Sequence, residues 1–347
     1  MKSRRILTYF YSTNQAPTVA MSWPWSTSAA NPNVTNEQRP TLSWVQNDPD
    51  PGAVFEWFQL QITEQGGAGV LDTGVLQMST SANEASWKVP HDLPLGKPLA
   101  VRVQVWDQYG AGSGWSESTW LYVNRAPVAA FDWVPKPAYE GDEVQLANRS
   151  TDPDGDALQA VWRIVGSAYD ETGAGWNAVI PAVRTDGHPG DWVVTLTVTD
   201  VYGLTGTVTQ IVPIGDLTLQ GFVKHTERWE ENRRKYNLRQ TGDVELPRTA
   251  DKFWAGESFV LQAVTNQPAS GVEARMSHLE LMSTLAGDGG KTGWSSSLYR
   301  DDFELLPDGP YTFMFTARFP NGHIETAAVI VHIQGAWTEY TSSVRKE

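Results

Sequence analysis

The sequence contains no cysteine. Disulfides and thiolate metal sites are excluded, so each folded unit has to be held by its own apolar core. Histidine is scarce, six residues in all, and no two of them stand in His-Glu-x-x-His spacing; a Gly-x-Ser-x-Gly elbow is also missing. The usual hydrolytic centres are therefore not expected. Long apolar runs are missing too, and no segment is expected to cross a membrane as a helix. Basic residues are outnumbered, with 26 Lys and Arg against 40 Asp and Glu, a formal net charge of −14. That balance excludes a broad nucleic-acid or anionic-lipid face, which needs clustered positive charge.

What is present is strand grammar. Arg39 to Val45, Phe55 to Ile62 and Leu99 to Trp106 alternate apolar with polar residues, and Gly66-Gly67, Asp72-Thr73-Gly74 and Pro94-Leu95-Gly96 punctuate them as turns. With 347 residues, 40% hydrophobic and 19% charged, the chain can bury two or three cores. A seam lies at Asn124-Arg125-Ala126-Pro127, where the alternation of Trp120 to Val123 stops before resuming from Val128 to Trp133. The same grammar occurs at Asn14-Gln15-Ala16-Pro17, preceded by Leu7 to Tyr11 and followed by Val19, Met21 and Trp23.

Other marks keep similar time. Asp48-Pro49-Asp50-Pro51-Gly52 is answered by Asp152-Pro153-Asp154-Gly155-Asp156, and Trp106-Asp107-Gln108-Tyr109-Gly110 by Thr199-Asp200-Val201-Tyr202-Gly203. Each spacing is about one sandwich domain, on the order of 100 residues. A tandem array follows: an N-terminal strand or linker at 1–17, then all-β units at 18–126, 127–216 and 217–347. The last reads as strands over Phe253 to Ala263, Met276 to Met282, Pro310 to Phe319 and Ile324 to Ile333, with turns at Asp308-Gly309 and Asn321-Gly322. The strand Leu7 to Tyr11 is expected to pair with a sheet edge elsewhere, in a longer chain or another copy.

Two of these units resemble known families. P-T-L-S-W, the Asp-Pro-Asp turn, D-T-G-V, V-R-V-Q-V-W-D-Q-Y-G and G-W-S-E within 18–126 resemble a fibronectin-III-like or Ig-like module. A-P-V-A-A-F-D-W, G-D-E-V-Q-L-A-N-R-S-T-D-P-D-G-D-A-L, V-W-R-I and G-D-W-V-V-T-L-T-V-T-D-V-Y-G-L-T within 127–216 resemble the polycystic-kidney-disease (PKD) β-sandwich along its length. The family's Trp-Asp-Phe-Gly-Asp-Gly-like stretch is reduced here to Trp162, which marks a divergent member. The third unit is expected to be Ig-like as well. The resemblance implies a non-enzymatic extracellular role: a structural, appendage or adhesin component on a cell surface or virion, working through protein contacts and self-assembly or a larger complex. The alternative is carbohydrate binding, as an adhesin or as the accessory module of a secreted glycosidase.

Three sets of residues are candidate sites. Asp152, Asp154 and Asp156 crowd three carboxylates into one turn, where they are expected to cap backbone N–H groups. The second use of such a cluster is to hold calcium, which takes oxygen ligands, although Gly155 and Arg163 break EF-hand spacing. The polar run 225–240 has helical character and carries Arg228, Trp229, Arg233, Arg234 and Tyr236, residue types that dominate interface hot spots. It reads either as a partner contact or as a solvated insertion with Trp229 and Tyr236 pinned to the sandwich. Of sixteen tryptophans, Trp44, Trp106, Trp162 and Trp192 are expected in the core, while Trp115, Trp176, Trp294 and Trp337 stand near Gly or Ser in expected loops. Trp115 and Trp294 are the sugar-stacking candidates. Gly289-Gly290-Lys291-Thr292 lacks the glycine a P-loop requires and reads as a hairpin loop.

Overall fold

Strict side-chain alternation builds this molecule. In a computed structural model the strand Pro98–Asp107 turns Leu99, Val101, Val103 and Val105 wholly inward, and Gly190–Thr199 does the same with Trp192, Val194, Leu196 and Val198. The structure describes residues 13–225, 252–254, 259–277, 282–298 and 309–334. The expected strand Leu7 to Tyr11, the run 226–240 and Trp337 lie outside the described residues.

Three separate apolar clusters form, each from one stretch of chain. The first gathers residues from Met21 to Val123, the second from Phe131 to Ile214, and the third from Leu217 to Ile333. In the first stretch a three-stranded sheet (Thr18–Trp23, Thr41–Asn47, Glu84–Lys88) faces a larger one centred on Phe55–Glu64 and Pro98–Asp107. Trp44 of the small sheet meets Phe58 of the large one with ring centroids 5.2 Å apart. The second stretch repeats the plan with Phe131–Val134, Val144–Asn148 and Ala178–Ile180 against a five-stranded sheet. There Phe131 meets Trp162 edge-on, again at 5.2 Å. In the third stretch eight strands join edge to edge and enclose one core, with Leu261 on one half and Phe313 and Val331 on the other.

All three share one further device. A two- or three-residue strand pairs in parallel with the last long strand of its unit: Asn33–Thr35 with Thr119–Val123, Ala138–Tyr139 with Thr205–Gly215, and Lys252–Trp254 with Ile324–Gln334. Every other strand pair among the described residues is antiparallel. This is an all-β, Ig-like and fibronectin-III-like architecture.

The alternation also corrects three expectations. Trp106 is only half-buried, because Val103 and Val105 take the inward parity and leave it on the outer face. Trp294 lies in the strand Gly293–Leu298 rather than in a loop and is 7% exposed within the third core. The strand expected over Met276 to Met282 is instead two strands, Gly271–Met276 and Met282–Gly287, with Ser277 in a turn.

Candidate functional site

The chemistry of this chain concentrates at the seams. Each Asn-x-Ala-Pro seam lays its first two residues against the Asp-rich turn and the Asp-x-Tyr-Gly turn of the unit that follows. At the first seam Asn14 Nδ2 donates to Asp107 Oδ2 at 2.7 Å and Gln15 N–H donates to Asp50 Oδ2 at 2.7 Å. At the second, Asn124 Nδ2 donates to Asp200 Oδ2 at 2.8 Å and Arg125 N–H donates to Asp154 Oδ2 at 2.8 Å. The same joint is built twice.

The details repeat as well. Asp48 Oδ1 accepts from Asp50 N–H and Asp152 Oδ1 from Asp154 N–H, so in each turn the first carboxylate caps the backbone as expected. Asp107 Oδ1 accepts from Tyr109 and Ala111 N–H, and Asp200 Oδ1 from Tyr202 and Leu204 N–H. The remaining oxygens, Asp48 Oδ2 and Asp152 Oδ2, are buried without a hydrogen-bond partner, and so is Asn124 Oδ1. Asn124 is 2% exposed.

The second joint is more heavily bonded. Asp154 Oδ1 accepts from the Tyr122 hydroxyl at 2.7 Å and from Arg125 Nε at 2.5 Å, and Asn36 Nδ2 donates to the Tyr202 carbonyl at 2.7 Å. Burial works against ionisation of Asp154, but the bonds from Tyr122 and Arg125 hold its carboxyl below the usual range. Burial and the Asp154 acceptor push the Tyr122 phenol up to about 12. Asp156 moves the other way: burial, then the charges of Asp152, Asp154 and Asp200, raise its carboxyl. Asp152, Asp154 and Asp156 offer oxygen atoms within 4.8 Å of one another, so the expected trio does converge. Asp154 is already engaged by Tyr122 and Arg125, whereas Asp152 Oδ2 is unshared.

A third joint, between the second and third cores, uses other residues. Glu140 Oε1 accepts from Leu217 N–H at 2.6 Å, and Asn321 Nδ2 donates to the Glu140 carbonyl and to Asp142 Oδ1, each at 2.9 Å. His323 Nδ1 lies 2.6 Å from Asp186 Oδ1, and its Nε2 lies 3.0 Å from Glu325 Oε1 and 3.6 Å from Glu140 Oε1. Burial raises the Glu140 carboxyl, with Asp216 adding to the rise against the Leu217 bond and the nearby His323. Burial opposes charge on His323, yet its carboxylate partners hold the imidazole above its ordinary value.

The sugar-stacking candidates do not form a site together. Trp294 is enclosed in the third core, while Trp115 belongs to the first unit, half-buried, with the Arg102 guanidinium 4.6 Å over its ring. Arg228, Trp229, Arg233, Arg234 and Tyr236 fall outside the described residues. Among the described residues, one shallow hollow of ≈ 290 Å³ is lined by Glu273, Arg275, Thr316 and Arg318, and another of ≈ 150 Å³ lies beside Trp162 and Glu171. Each holds one carboxylate and no histidine. Among the described residues no helix is long and apolar enough to cross a membrane.

The fold and joints define a tandem Ig-like, fibronectin-III-like β-protein. Residues 26–124 match the family of the Rha78A-like, N-terminal immunoglobulin domain. No curated protein matches the chain. Among solved structures, one on host cell surface retention of a 1.5-MDa bacterial ice-binding adhesin aligns at TM-score 0.39 and 12% identity, covering 93% of this chain and 99% of that one. A tetra-tandem repeat in the extending region of a large adhesion protein aligns at TM-score 0.27 and 16% identity, over 92% and 74% of the two chains. Chicken CNTN1 FN1-FN3 domains align at 0.26 and 12%, over 86% and 98%.

Proposed function

We propose that this chain is a non-enzymatic extracellular spacer, a series of three sandwich domains at 18–126, 127–216 and 217–347 that holds attached partners at a set distance. The observation that carries the reading is the repeated seam joint. A seam serving only to connect would need no fixed partners, whereas exposed Asn14 and buried Asn124 are each bonded to the Asp of the same turn in the unit that follows. Such bonds restrict the angle between neighbours. The setting we assign is a cell surface or virion, with contacts to protein partners or further copies along sheet edges and loops.

The orphaned Asp152 Oδ2 and Asn124 Oδ1 favour a second element of this reading, a calcium ion at the joint. Both are hard oxygen donors, and Asp156 and Asp200 supply further carboxylates beside them. Calcium would lock the joint while the turn keeps its backbone caps. Calcium titration of the full chain, followed by calorimetry and small-angle scattering, tests it: saturable binding with a raised melting temperature and a narrower distance distribution is expected. No binding at millimolar calcium would remove the ion and leave the spacer.

Carbohydrate binding retains only Trp115 of its two candidates. A glycan array on the full chain decides that alternative, and binding lost in Trp115→Ala would revive it.

A further inference from the structure

The joint between the second and third cores holds a donor set of a different kind. Glu140 enters from the second core, whereas His323 and Glu325 directly follow the Asn321-Gly322 turn between Gly309–Arg318 and Ile324–Gln334 in the third. The side chains of Glu140 and His323 are 3% and 6% exposed. Nε2 of His323, a Glu140 oxygen and a Glu325 oxygen lie mutually within 4.8 Å. A tetrahedral ion with bonds of about 2.0–2.1 Å keeps its ligands about 3.3 Å apart. The observed separations from Nε2, 3.0 Å to Glu325 and 3.6 Å to Glu140, bracket that edge.

The other ring nitrogen supplies an independent observation. Nδ1 lies 2.6 Å from Asp186 Oδ1, an arrangement that keeps a proton on Nδ1 and turns Nε2 toward Glu140 and Glu325. Charge is compatible with a cation there. Glu140, Glu325 and Asp186 surround one imidazole, and the Glu140 carboxyl is enclosed, where a bound cation would favour its ionised form. Mixed imidazole and carboxylate donors suit zinc rather than calcium.

We propose that this joint is a binding site for one divalent transition-metal ion of the zinc class, held by Glu140, His323 and Glu325 with Asp186 orienting the imidazole. The ion takes the place of a proton on Nε2, which leaves to solvent. Because its ligands come from both cores, the ion clamps the second to the third. The site is distinct from the Asp152 turn and stands whether or not calcium binds there.

The test uses the full chain after chelator treatment and desalting. Zinc titrated by calorimetry is expected to bind at one equivalent lost on His323→Gln, to raise the melting temperature, and to be replaced by cobalt with a tetrahedral visible spectrum. Asp186 is exposed, so Asp186→Asn is expected to fold normally and to weaken zinc about 10–100-fold. The absence of saturable zinc binding would overturn the proposal. So would zinc affinity that is unchanged in both Asp186→Asn and Glu325→Gln, or calcium competing on equal terms.

Discussion

A Cβ on Gly206 would stand 2.1 Å from the carbonyl oxygen of Pro127, a contact no side chain tolerates. The glycine lets the strand Thr205–Gly215 run directly beneath the seam, so one atom's worth of volume reports on how tightly the seam is packed. Gly206→Ala is expected to cost about 1–3 kcal/mol, because backbone rather than a flexible side chain would have to move. Urea unfolding of the full chain followed by tryptophan fluorescence measures it; an unchanged midpoint would mean that the seam swings free. Tryptophans give a second comparison at this scale. Trp162 is 2% exposed against Phe131, so Trp162→Ala should lose about 3–5 kcal/mol, whereas half-buried Trp106→Ala should lose about 1–2 kcal/mol. Sequence alone placed both in the core, since a strand's parity is fixed only once its partner is known. Trp294 misled for the related reason that flanking Gly and Ser imitate a loop while continuing a strand.

Turns and seams were legible as elements, but not as a joint. The Asn-x-Ala-Pro, Asp-Pro-Asp and Asp-x-Tyr-Gly marks all recur at similar spacing, and that recurrence was the available signal. What periodicity could not supply is that Asn14 bonds a residue 93 positions away and Asn124 one 76 away, because the pairing depends on closure of a whole sandwich. His323 was invisible for the same reason: its partners Glu140 and Asp186 are drawn from a different core. The repeated joint yields a discriminating substitution. Asp152→Asn keeps an oxygen to cap Asp154 and removes the one oxygen, Oδ2, that is buried without a hydrogen-bond partner. In chelator its melting temperature should equal or exceed that of the unsubstituted chain, since a buried acceptor left without a donor costs stability. In millimolar calcium the order should invert, because the unsubstituted chain keeps the Asp152 carboxylate as a charged ligand and the variant does not. Identical melting temperatures of the two proteins in calcium would show that Asp152 holds no ion.

For the whole molecule, the decisive geometry is that the joints leave the middle core from opposite ends. The strand Gly190–Thr199 starts just after Asp186 and stops at Asp200, while Thr205–Gly215 starts after Gly203 and runs back to Leu217. Asp200 belongs to the joint with the first core and Asp186 to the joint with the third. Ten residues of strand separate them, about 33 Å. Cores joined at opposite ends of a strand extend the particle instead of thickening it. Small-angle scattering should therefore give a radius of gyration well above the roughly 20 Å of a compact chain of this length. Asn124→Ala combined with Asp154→Ala removes the side chains that fix the second joint, between the first and middle cores, and leaves every apolar core intact. That variant should keep its circular dichroism, yet its distance distribution should broaden as the first core begins to swivel about Arg125 to Pro127. A radius near 20 Å for the unsubstituted chain would defeat the spacer reading, and an unchanged distribution in the double variant would defeat the claim that these polar bonds set the angle.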